Sequence, residues 1–317
     1  MYLILIGLVL GRLVFVLSKR ILFEEKLWSF KNQCSDCQAS CTAKIILPFT
    51  SFKCGHCHKS ILPKAIFVDI ISALIICLVY YKFGRSNSFI PFLALSYFLL
   101  AASITDFWTK LIPHDITYPA IIIGIIYSYW VKNDIMSCLA GIGVSYILFD
   151  FIAFYGHKLY IFMHKKEIEQ ILAQNDVSEV SEIEVMGGAD AVLSAVIASF
   201  LGLNFLVVAL MIAFLAGAVL GAVYLFVEMY KLKILNTAIK PVLIAACAIG
   251  SIALLIFTGL SFAFSVSIIN FIPAITFFVI AGALLGFLFS ASSISKPFPF
   301  GPAIALGGII TMFLVNV

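Results

Sequence analysis

Long apolar runs alternate with short polar breaks along the chain. Ten such runs stand out, at 2–17, 66–81, 89–105, 116–131, 135–155, 190–203, 205–229, 241–260, 265–290 and 302–317. A helix that crosses a bilayer needs about 20 apolar residues. Several runs fall short of that length, which fits tilted, re-entrant or merged segments. Two polar segments interrupt the pattern. Residues 18–65 follow the first run and are rich in cysteine. Residues 156–185 are charged, with an acidic second half at Asp176, Glu179, Glu182 and Glu184. Within the second segment, "HKKEIEQIL" predicts a short helix followed by a loop. The predicted fold is an all-α polytopic membrane protein with about 8–10 transmembrane helices. It divides into a first helix at 1–17, a small domain at 18–65 and a multi-helix membrane domain at 66–317.

Composition agrees with the pattern. The 317 residues are 63% hydrophobic and 11% charged, with a mean hydropathy of +1.13. A soluble domain carries about a quarter charged residues. The deficit excludes an ordinary cytosolic enzyme, a nucleic-acid binder and a disordered chain. Phe alone occurs 30 times, more apolar surface than one water-soluble core can hide, so lipid must cover the remainder. The start has neither a basic leader nor a small-residue cleavage site, and it reads as a retained helix.

The positions of the basic residues orient the chain. If the first helix ends inside the cell, only Lys82, Arg85 and Lys132 of the 20 Lys and Arg fall outside. That is a strong positive-inside bias. It places both termini outside and both large polar segments in the cytoplasm.

Eight cysteines are too few for a disulfide scaffold, and five of them crowd between Cys34 and Cys57. Cys34 and Cys37 form one C-x-x-C pair; Cys54 and Cys57 form another, 16 residues on. Each pair can wrap one edge of a tetrahedral metal, the four-thiolate arrangement that zinc prefers. A reducing cytoplasm keeps such thiols available. The alternatives are unligated surface thiols or two redox pairs, and Cys41, His56 or His58 are possible substitute ligands. Cys77, Cys138 and Cys247 lie in apolar runs and read as small core residues.

Charges inside apolar runs are costly and therefore functional candidates. Asp69, Asp106, Asp150, Asp190 and Glu228 qualify, and the topology puts all five near the cytoplasmic side. Asp106 ends the third run, in "SITDFWTKLIPHDITYP"; Asp190 opens the sixth, in "VMGGADAVL". Two carboxylates at one depth can share a proton and a water. One then serves as general base and the other, protonated, polarises a scissile carbonyl. That is the chemistry of an aspartyl peptidase. Gly187 and Gly188 would let a substrate strand or a neighbouring helix approach closely. The same pair fits a proton relay in a transporter, or interfacial acids reaching to water. Asp115, just past Pro113, is a candidate cap for the fourth helix.

Taken together, the chain resembles the type IV prepilin peptidases, the leader peptidase and N-methyltransferase family of pilus and type II secretion systems. Four stretches carry the resemblance, in the family's order. They are the paired C-x-x-C region; "TDFWTKLIPHDITYP", with Pro113 seven residues after the aspartate; "GGAD"; and "KPFPFGPAIALGG". The resemblance implies that Asp106 and Asp190 are the catalytic pair, with Gly187, Gly188, Ala189 and Pro113 supporting them. It implies structural zinc at Cys34, Cys37, Cys54 and Cys57, and S-adenosylmethionine as a methyl donor. Substrates would be prepilins and pseudopilins, cut at the cytoplasmic face of the bacterial inner membrane. The chain departs from the family at Ala189, where the G-x-G-D motif has glycine, and at Val192, where a lysine is often found. In the first helix Phe15 replaces an asparagine and Arg12 is new. Asp69 stands where the family has a glutamate. These last changes fall in the region associated with methyl transfer, so the peptidase expectation is the firmer one. The rival expectations are a proton-coupled transporter and a non-enzymatic zinc-containing scaffold.

Overall fold

The structure is a computed structural model, and it describes residues 2–22, 31–33, 40–42, 62–163, 188–231 and 299–315, with isolated positions between 244 and 258. In chain order the elements are α1 (Tyr2–Leu22), β1 (Lys31–Gln33), β2 (Ser40–Thr42), α2 (Leu62–Phe83), α3 (Phe89–Thr109) and α4 (His114–Trp130). They continue as α5 (Ile135–Met163), α6 (Gly188–Leu201), α7 (Leu203–Lys231) and α8 (Gly301–Leu314). The apolar runs at 241–260 and 265–290 lie outside the described residues, apart from the isolated positions. The other eight runs are helices. Five helical stretches are long and apolar enough to cross a bilayer: Tyr2–Leu22, Ala65–Phe83, Phe89–Thr109, Ile135–Lys158 and Leu203–Tyr224. The shorter α6 and α8 are apolar as well. The chain is a multi-pass membrane protein.

The strands among the described residues are β1 and β2, which pair antiparallel with Gln33 opposite Ser40. Residues 34–39, which connect these strands and carry the first cysteine pair, lie outside the described residues, as do Cys54 and Cys57. The chain forms two compact units, one of residues 1–214 with 299–317 and one of residues 215–298. Helices α1 to α6 and α8 belong to the first.

Helices α1 and α2 pack through small residues. Gly7 and Gly11 are four apart, so they share one face of α1. A side chain at Gly7 would sit 2.5 Å from Ala73 Cα, and one at Gly11 would sit 2.9 Å from Asp69 Cα. This is the close backbone approach that a G-x-x-x-G spacing allows in lipid. Ser72 Oγ seals the contact by donating to the Gly7 carbonyl at 2.6 Å.

Helix α6 is the hub. Every residue from Ala191 to Leu201 is buried, and α3, α4, α5 and α8 all pack on it. A helix that is apolar all round belongs inside. Its mixture of Ala and Ser with Val, Ile and Leu lets neighbours approach on every side. Ser128 Oγ donates to the Ser199 carbonyl at 2.6 Å, tying α4 to α6. Cys138 is buried, as the sequence predicts, but Cys77 is half-buried and Cys247 is exposed.

Candidate active site

Asp106 sits one turn before the end of α3. The helix closes on Lys110 in the left-handed conformation, φ 59° and ψ 27°, whose amide donates to the Asp106 carbonyl. Pro113 follows as the N-cap of α4, with φ −65° and ψ 138°. The short 110–113 connection therefore stops one helix and starts the next, and Asp106 faces inward on the last turn. Asp115 lies in the first turn of α4, but α4 has no side-chain cap hydrogen bond; its place near the positive end of the helix is favourable without one.

The Asp106 side chain is buried at 6% exposure. Its Oδ2 accepts a hydrogen bond of 2.7 Å from the backbone amide of Gly301. That amide opens α8, 195 residues away in sequence. The approach requires glycine: a Cβ at this position would lie 2.8 Å from Oδ2. A carboxylate at a helix N-terminus is also favoured by the helix dipole.

Asp190 lies in the first turn of α6. The two aspartates come from distant parts of the chain, yet they are close enough to interact electrostatically. Gly188 precedes Asp190 and is exposed; a Cβ there would meet nothing within 4 Å. Among the described residues, no neighbouring helix fills the space beside it. Ala189 is half-buried and packs against the core. Gly187 lies outside the described residues.

A groove of about 650 Å³ opens between α2, α3 and α8. Phe107 and Trp108, which follow Asp106, line it, as does Pro302, which follows Gly301. Its one side-chain hydroxyl, that of Ser103, is turned back onto the Leu99 carbonyl at 2.7 Å. The groove therefore offers apolar contact almost throughout. Trp108 is steadied from behind by Phe15, edge-to-face with ring centroids 5.2 Å apart.

The remaining acids separate. Asp69 is fully buried and ion-paired: Arg12 Nη2 donates to its Oδ2 at 2.6 Å, and Arg12 Nε reaches both oxygens at 3.1 and 3.3 Å. Asp150 is exposed on α5, and the Glu228 side chain lies outside the described residues. Among the described residues, no group of three or more His, Cys, Asp or Glu is placed to hold a metal ion. Two contacts here are not predicted from the sequence. The Gly301 amide has a signal in the "PFGP" stretch, although nothing in the spacing links it to Asp106. Arg12 has a signal as a charge inside an apolar run.

Residues 93–222 match the type IV leader peptidase family, and residues 5–83 match the bacterial peptidase A24 N-terminal domain. The chain belongs to the type IV leader peptidase family. The family match encloses both Asp106 and Asp190, and the N-terminal match encloses Arg12, the cysteine pairs and Asp69. The chain is 21% identical over 230 residues to a prepilin leader peptidase/N-methyltransferase of Myxococcus xanthus (strain DK1622), covering 71% of this chain and 62% of that protein. It is 29% identical over 120 residues to a prepilin leader peptidase/N-methyltransferase of Pseudomonas putida, covering 35% of this chain and 42% of that protein. The chain thus spans less than two thirds of the length of either relative. No solved structure matches it.

Proposed function

We propose that this chain is an intramembrane aspartyl endopeptidase that removes the leader peptide from type IV prepilins and pseudopilins. The observation that supports the reading is that Asp106 and Asp190, distant in sequence, are close enough to act on one another electrostatically. Their helices, α3 and α6, pack together, and the two carboxylates interact across that packing. In the reaction one carboxylate takes a proton from water as the water oxygen attacks the scissile carbonyl carbon. The other donates its proton to the carbonyl oxygen. Collapse of the tetrahedral intermediate breaks the C–N bond, and the leaving amine receives a proton from the dyad. The apolar helix of the substrate fits the groove between α2, α3 and α8. Its basic leader would then lie at the cytoplasmic face of the inner membrane, where the acidic stretch before Asp190 attracts it.

Zinc would be held by Cys34, Cys37, Cys54 and Cys57. Four thiolates are a donor set that suits it, and the first pair falls in the connection between two paired strands. Bound there, zinc supplies a structural cross-link and takes no part in cleavage. Methylation of the new N-terminal amine by S-adenosylmethionine is proposed as a second and weaker activity, on the printed names of the relatives. In the region proposed for it, around 18–69, Asp69 has its carboxylate committed to Arg12.

Incubating the purified protein with a synthetic leader-plus-helix peptide tests the reading. Asp106→Asn and Asp190→Asn should each lower cleavage at least about 1,000-fold, by analogy with loss of one member of a catalytic unit. Normal cleavage by either variant would remove the mechanism and favour a scaffold. Mass spectrometry of the same products in the presence of S-adenosylmethionine should show incomplete N-methylation.

A further inference from the structure

The start of α8 explains why one carboxylate of the pair is held so firmly. We propose that Phe300, Gly301 and Pro302 form a positioning element of the peptidase site, in which the Gly301 amide ties Asp106 Oδ2 and leaves Oδ1 for the attacking water. The proposal rests on the reading of Asp106 as a member of the catalytic pair.

A helix start leaves several backbone amides without partners, and a Ser, Thr, Asp or Asn at the N-cap normally supplies an acceptor. The N-cap of α8 is Phe300, and it makes no side-chain cap hydrogen bond. Proline at 302 carries no amide hydrogen. The amides of Ala303 and Ile304 both donate to the Phe300 carbonyl, at 3.0 and 3.2 Å. The Gly301 amide is left over, and it is aimed at Asp106. The carboxylate thus acts as the N-cap of a helix that its own sequence does not cap.

Each residue of the turn has a separate task. Phe300 packs on Phe214 with ring centroids 5.7 Å apart and the ring planes tilted by 35°, which anchors the turn. Pro302 removes the amide that would compete for the carboxylate. Gly301 leaves room where a Cβ would crowd Asp106 Cβ and Cγ, each at 3.0 Å. Glycine also relieves the clash that disfavours helical backbone before proline. Among the described residues, the charged groups acting on Asp106 are Lys110 and Asp190. Its Oδ1 accepts no hydrogen bond among those residues, so it is the oxygen available to water.

Two replacements test the proposal. Gly301→Ala adds the offending methyl group. Glycolic acid in place of Gly301 makes a backbone ester, which deletes the N–H without adding bulk. Both are made in the full chain and assayed for cleavage of the leader-plus-helix peptide. The Asp106 carboxylate band is followed by infrared spectroscopy of aspartate-labelled protein and assigned by its loss in Asp106→Asn. The ester should lower kcat about 10- to 100-fold, the usual worth of a hydrogen bond to a charged group, and should shift the carboxylate band. Gly301→Ala should do at least as much. An ester protein that cleaves at the normal rate overturns the proposal, and so does a slowed one whose band has not moved. Normal cleavage by Asp106→Asn would instead overturn the peptidase reading, whatever the band does.

Discussion

Arg12 and Asp69 show what a single residue's place in the sequence leaves unsaid. An acid inside an apolar run is expensive, so Asp69 reads as a functional group. In the structure the cost is offset by a guanidinium that reaches both of its oxygens. Neither partner is more than 2% exposed. Breaking such a pair strands a buried charge. Arg12→Met is therefore expected to destabilise the protein by about 3–5 kcal/mol, whereas Arg12→Met with Asp69→Leu should restore most of the loss. Unfolding by heat or denaturant in detergent would measure both. The pair was half legible: each charge stood out in its own run, but 57 residues separate them. Only the packing of Gly7 and Gly11 on α2 brings them together. The G-x-x-x-G spacing was there to be read, and it predicts close approach without naming the partner helix. Asp106 and Asp190 were more legible, because each stands at the end of an apolar run and the topology set them at one depth.

At the scale of elements, the end of α6 repeats the logic seen at the start of α8. The helix finishes at Leu201, followed by Gly202 with φ +80°. Lys132, from the α4–α5 connection, donates to the Leu201 carbonyl at 2.6 Å. The orientation rule marks Lys132 only as one of three basic residues on the wrong side. The structure gives it a local task, as a cation at a helix C-terminus. Lys132→Met should cost about 1–2 kcal/mol for the lost charged hydrogen bond. Burial also pushes the Lys132 ammonium below its ordinary value of 10.5, the nearby Asp134 opposing in part. The folded form then binds fewer protons than the unfolded form between that lowered value and 10.5. Over this window stability contributed by Lys132 rises with pH, and below it the cost of the buried charge is carried in full. Melting curves of wild type and Lys132→Met across alkaline pH should therefore diverge, with wild type gaining. Helix ends are the least legible part of a membrane sequence. Run lengths locate a helix, but its last turn is decided by side chains from elsewhere.

At the scale of the whole molecule, the apolar pattern carried most of the helical architecture among the described residues. The runs at 2–17, 66–81 and 89–105 became α1, α2 and α3 with their ends extended by a few polar or aromatic residues. Such ends hide in a hydropathy reading because lysine, arginine and tryptophan belong at the rim of a bilayer. The central place of α6 was not legible: its run is one of the shortest, and only the small residues on every face hint that it is enclosed. The cysteine pairs act at this scale, since a shared metal would join segments distant in the chain. Reduced, gently purified protein should contain about one zinc per chain. Replacing Cys34 or Cys54 with serine should lower that content and loosen the segment after α1 to proteolysis. Metal-free protein with an unchanged proteolysis pattern would leave the cysteines as plain thiols.

The bond from Gly301 to Asp106 also sets an order of events during biosynthesis. Both acids are added to the chain more than a hundred residues before Gly301 is. In that interval the two carboxylates can meet, but neither lone-pair direction is yet fixed by the late-arriving amide. If the proposed reaction holds, the nascent chain is in this sense unarmed until translation has passed residue 301.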